Sequence, residues 1–243
     1  MATLLTLVKR EVGVYFISPM AYIIITVYML FTGYFFYAGV YGAIANGLPA
    51  SYQSATSAML SLTIFMMPLI TMRLLAEEKN RGTFETLMTA PITDFQIVFA
   101  KFLAAVSFYI LLLIPSLLYL VTLSSYATLD NGEVVGGYLA LILLAMTLFS
   151  LGLFISSMCS NQISAGIITL IISIFLLITD ILANSIQDKE SIWRKLLGYV
   201  NIERHMSALV KGVVYSYDIV YLLSLVVLFL FLTVRVVESR RWR

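Results

Sequence analysis

The residues able to do chemistry are gathered in one stretch, Arg73 to Lys101, reading RLLAEEKNRGTFETLMTAPITDFQIVFAK. No Asp, Glu, Lys, Arg or His occurs from Val12 to Met72 before it, and none from Phe102 to Leu129 after it. Glu77, Glu78, Lys79, Asn80 and Arg81 form a charge cluster that Gly82 breaks. Thr83 can cap a short helix from Phe84 through Glu85 to Ala90, ended by Pro91. Phe84, Leu87 and Met88 fall at i, i+3 and i+4, so that helix has an apolar face. Outside a bilayer such a face needs a protein groove. The alternative is a solvated loop whose helix packs only on its own chain. The chemistry on offer is recognition of a partner.

Bond-making chemistry lacks its usual residues. The chain has no G-x-x-x-x-G-K-[ST] phosphate loop, and no Gly is followed by Lys. It therefore cannot cradle ATP in the P-loop manner. H-E-x-x-H and G-x-S-x-G are also missing. With one histidine, His205, and one cysteine, Cys159, neither a His-rich metal site nor an intrachain disulfide can form. Cys159 sits in an apolar run and reads as a small buried hydrophobe. Asp180 and Asp218 stand at expected span ends, as helix-end charges or as gate or partner contacts. We expect no enzyme, no cofactor and no metal on this chain.

The elements that must position the charged stretch are set by lipid. Of 243 residues, 61% are hydrophobic and 12% charged, with a mean hydropathy of +0.98. Soluble domains are nearer half apolar and a quarter charged. The chain is therefore expected to be an all-α integral membrane protein. A net charge of +2 gives no footprint for nucleic acid.

Residues 1–17 carry Leu4, Leu5, Val8, Val12, Tyr15 and Phe16 on one helical face, as an interfacial helix does. Ser18-Pro19 then opens the first span. Its apolar run, Met20 to Tyr41, is longer than a signal-peptide core. Six spans of roughly 20 apolar residues are predicted, near 19–41, 55–75, 97–124, 136–157, 163–182 and 219–237. Pro68 and Pro115 should kink the second and third. The charged insert is 76–95. Residues 184–218 mix charge with apolar helical spacing and read as two amphipathic helices, resting on the membrane or dipping into it. The chain reads as a single transmembrane domain.

An even number of spans puts both ends on one side, and positive charge selects the side. Ten basic residues, Lys9, Arg10, Arg73, Lys79, Arg81, Lys101, Arg235, Arg240, Arg241 and Arg243, share the side of the insert, against five opposite. Both ends are thus expected in the cytoplasm.

The order Glu77, Glu78, Gly82, Thr83, Glu85, Leu87, Pro91, Lys101 resembles the coupling segment of type-2 ABC exporter permeases. The interfacial helix with its Ser-Pro opening, the six spans and the basic end extend the likeness along the chain. Lys211-Gly212-Val213-Val214, Tyr217-Asp218-Ile219-Val220-Tyr221 and the closing Glu238-Ser239-Arg240-Arg241-Trp242-Arg243 are similar to gliding-motility permeases and to permeases of multicopper-enzyme maturation. The resemblance implies a bacterial inner-membrane permease paired with a second permease, as a homodimer or with a paralogue. It implies a separate cytoplasmic ATPase that carries the ATP and Mg. Thr83 to Ala90 would be the coupling helix, with Glu77 and Glu78 at its base linking it to the spans. Export of a substrate is one implied function. The other is a mechanical transducer that links the ATPase to a protein with a large extracytoplasmic domain and moves no solute.

Overall fold

The computed structural model describes residues 2–47, 51–80, 82, 92–186 and 191–241. The described residues form helices and their connections, with no strand among them. Six helices are long and apolar enough to cross a membrane. The expected all-α, six-span architecture is what the chain adopts.

The first helix, α1 (Ala2–Ile17), ends where Ser18 turns the chain into α2 (Pro19–Ala45). Ser18 is extended and its Oγ accepts from the Met20 N–H at 3.4 Å, while Pro19 occupies a position whose N–H needs no partner. Next come α3 (Gln53–Thr71) and the one-turn α4 (Ala76–Asn80). Pro68 lies inside α3, which ends three residues later. Helix α5 (Asp94–Leu113) passes through a 3-10 turn at Ile114–Ser116, around Pro115, and resumes as α6 (Leu117–Ser124). Proline has no N–H for the helical ladder, and its ring crowds the preceding turn.

Two long helices follow as a hairpin. Helix α7 (Asn131–Met158) is capped by Asp130, whose Oδ1 accepts from the Gly132 N–H at 2.8 Å. Helix α8 (Gln162–Ser185) is capped by Asn161, whose Oδ1 accepts from the Ile163 N–H at 2.9 Å. Cys159 is the C-cap of α7 and is half-buried, at the hairpin tip and not in the core where its apolar neighbours had placed it. The chain closes with α9 (Ile192–Val200), α10 (Ile202–Val210) and α11 (Ser216–Arg241).

Helix α7 is the hub. Its apolar window is 78% buried, against 17% for α2, 22% for α8 and 17% for α11, so those three face outward. It packs on α3, α5, α8, α10 and α11. Two glycines permit the closest approaches. A Cβ at Gly152 would stand 2.5 Å from Thr71 of α3, and one at Gly136 would stand 2.2 Å from the Leu209 carbonyl oxygen of α10.

Buried hydroxyls knit the membrane-depth core. Thr63 bonds the Tyr109 hydroxyl at 2.7 Å and lies 3.5 Å from that of Tyr28. The Tyr138 hydroxyl bonds Tyr52 at 2.9 Å and Ser116 at 2.8 Å. In an apolar medium each hydroxyl needs such a partner, so the contacts fix which helix faces lie together.

Candidate functional site

At the end of the bundle where α1 meets α4 lies an ion cluster. Lys101, the eighth residue of α5, is 3% exposed. Its Nζ bonds Glu78 Oε1 of α4 at 2.6 Å and Glu11 Oε2 of α1 at 3.1 Å. Arg10 bonds the other oxygen of Glu11 at 2.7 Å. Three helices distant in sequence are thereby pinned at one ammonium. Burial alone would raise the Glu11 carboxyl. The Lys101 charge and the hydrogen bonds from Arg10 and Lys101 outweigh it and hold the group below its usual range.

The short helix α4 is fixed from a second direction. Ser156, near the end of α7, accepts from the Leu75 N–H at 3.1 Å and the Ala76 N–H at 2.9 Å. These amides begin a helix and have no partner within it, so the hydroxyl acts as a cap supplied by another element. Lys79 Nζ donates to the Ser157 carbonyl. Arg73 Nη1 donates to Ser18 Oγ at 3.1 Å, joining the end of α3 to the start of α2.

Beyond α4 the chain reaches Gly82 at φ +70°, a left-handed conformation that suits glycine and stops the helix. Thr83, Phe84, Glu85, Leu87, Met88 and Pro91, the expected coupling residues, lie outside the described residues. The chain is described again at Ile92 and enters α5 through a capping box. The Gln96 N–H donates to Thr93 Oγ1 at 3.3 Å, and the Thr93 N–H donates to Gln96 Oε1 at 3.2 Å. Both ends of the 83–91 stretch are therefore anchored to the bundle.

Of the expected site residues, Glu77, Glu78 and Gly82 stand at the base of that stretch. Glu78 is paired to the spans through Lys101. Sequence reasoning missed Glu11 and Ser156. Glu11 was one of several charges on an amphipathic helix, and Ser156 one of several serines in a polar cluster. Only tertiary contact distinguishes them.

At the far end of the bundle Ile202, Met206, Leu209 and Val210 of α10 are buried, and the helix packs on α7, α8 and α3. Asp218, in the first turn of α11, is 2% exposed, and its Oδ1 lies 2.5 Å from His205 Nδ1, so it is a buried helix-end charge paired with α10. The other ring nitrogen of His205 lies 3.2 Å from the Tyr199 carbonyl oxygen. The side chain of Asp180 lies outside what the structure describes. No group of three or more His, Cys, Asp or Glu residues among the described residues could hold a metal.

Comparison with known proteins adds the family. Residues 66–239, well over half of the chain, match the family model for ABC-2 family transporter proteins, and the chain belongs to that family. A protein described as a probable multidrug ABC transporter permease, YbhR, of Escherichia coli strain K12 is 24% identical over 154 residues, 63% of this chain and 40% of that protein. The protein of the same description in Escherichia coli O157:H7 is likewise 24% identical over 154 residues. The chain thus spans less than half the length of either relative. It is a multi-pass membrane subunit of the permease kind.

Proposed function

We propose that this ABC-2 family chain is the transmembrane half of an ATP-driven exporter, worked by a separate cytoplasmic ATPase that seats the Thr83–Ala90 segment. The observation that carries the reading is the Lys101 cluster. It ties α4, which leads into the segment, to α1 and to α5, which leads out of it. A push on the segment therefore reaches the interfacial helix and two spans together. Glu77 and Glu78 sit at the base of the lever, and Phe84, Leu87 and Met88 supply its apolar face.

In this reading the ATP and its Mg belong to the partner, in keeping with a chain that has no phosphate loop. Both chain ends and the segment face the cytoplasm of a bacterial cell, as the excess of basic residues on that side favours. A second permease copy completes the path.

Co-purification tests the reading. The chain should bring down a P-loop ATPase whose hydrolysis it stimulates. Phe84→Glu with Leu87→Arg should abolish binding and stimulation while the six-span fold survives. Retained stimulation in that double variant would remove the coupling assignment. ATP-driven solute movement in reconstituted vesicles separates an exporter from a transducer, which would hydrolyse ATP without flux.

A further inference from the structure

A cleft of about 560 Å³ opens beside the Lys101 cluster, between α1, the first turns of α2, the end of α3, α4 and α5. Its walls are of two kinds. The exposed Val14 and Ile17 with the partly buried Leu69 give an apolar side, and Arg10, Glu11, Arg73, Glu77, Glu78 and Lys101 give three bases and three acids. The cleft lies where an interfacial helix turns into a span, which is the depth of lipid headgroups.

Two hydrogen-bond donors at this cleft have no partner among the described residues. They are the hydroxyl of Tyr15 and the Nε of Arg73, and both atoms are shut off from water. The Tyr15 ring stacks on Phe108 at 4.9 Å beside the cleft. Burial, helped by the charge of Glu11, pushes the phenol up, so it remains a donor. Both side chains line the cleft. A buried donor left unpaired is costly, and the group that relieves it must bring an oxygen acceptor.

We propose that this cleft is a phospholipid site, holding the phosphate of a zwitterionic headgroup with Arg73 and Tyr15 and laying an acyl chain along Val14, Ile17 and Leu69. A guanidinium and a phenol are matched to phosphate oxygens. A free phosphate would occupy only the polar side of so large a cleft. The balanced charge of the wall matches a headgroup that carries both signs and disfavours one with net negative charge. The inference concerns the bundle alone and does not rest on coupling to an ATPase.

Thermal unfolding of the purified full chain in detergent, with and without added phosphatidylethanolamine, tests it, alongside native mass spectrometry of retained lipid. The wild-type chain should gain stability from phosphatidylethanolamine and retain one such lipid per chain. Tyr15→Phe and Arg73→Gln should each lower its affinity about tenfold. Tyr15→Phe removes an unpartnered hydroxyl, so in lipid-free detergent it should unfold no earlier than wild type, which separates lost binding from lost folding. Equal gain from diacylglycerol, which lacks phosphate, would overturn the proposal. So would equal gain from inorganic phosphate, tighter retention of phosphatidylglycerol, or unchanged affinity in both variants.

Discussion

Lys101 shows how one residue can hold three helices of a membrane protein together. A buried ammonium is tolerated only when paired, and here two carboxylates from different helices surround it. Lys101→Met would leave Glu11 and Glu78 facing each other across a half-buried gap. The expected loss is about 3 kcal/mol, read as a lower unfolding midpoint in detergent. Acid should do the same reversibly. Folding holds the Glu11 carboxyl below the ordinary carboxylate value of about 4.5, so its contribution is complete above that pH and is lost as pH falls through the lower, folded value. The wild-type chain should therefore lose stability below pH 4.5, and Glu11→Gln should flatten that part of the profile. A second residue-scale test lies at the far end. His205→Ala would strand Asp218, 2% exposed, without its partner, and should also cost about 3 kcal/mol, whereas His205→Ala with Asp218→Asn should recover much of it.

The elements divide into those that composition betrays and those that contact decides. The spans were legible because lipid permits only long apolar helices, and their caps were legible in part, as Ser18-Pro19 and Thr93 show. Helix α10 was not. Its apolar stripe of Ile202, Met206, Leu209 and Val210 fits a lipid surface and a protein groove equally well, and a period cannot tell which covers it. Gly136 could have been a hint. It sits early in α7, where the missing Cβ admits the Leu209 carbonyl of α10. Gly136→Ala should push α10 outward and lower stability by about 1–3 kcal/mol, measurable by thermal unfolding. The Lys101 cluster was equally hidden, since Glu11 and Lys101 lie 90 positions apart and no local rule pairs them. Glu78 was legible only through its motif, which did not reveal its bond to Lys101.

On the scale of the whole molecule, α7 and α5 form a dense middle, while α2, α8 and α11 turn most of their surface outward. The Lys101 cluster lies at one end of this frame, and the His205–Asp218 pair closes α10 against α11 at the other. The proposed account has residues 83–91 meet the ATPase, and family membership and the ion cluster support it. Accessibility labelling tests that account most directly. Leu87→Cys in a Cys159→Ser background should react with a membrane-impermeant thiol reagent from the cytoplasmic side in the isolated permease, and become protected when the ATPase is bound. Reaction from the outer side of the cell, or unchanged reactivity in the assembled complex, would contradict it.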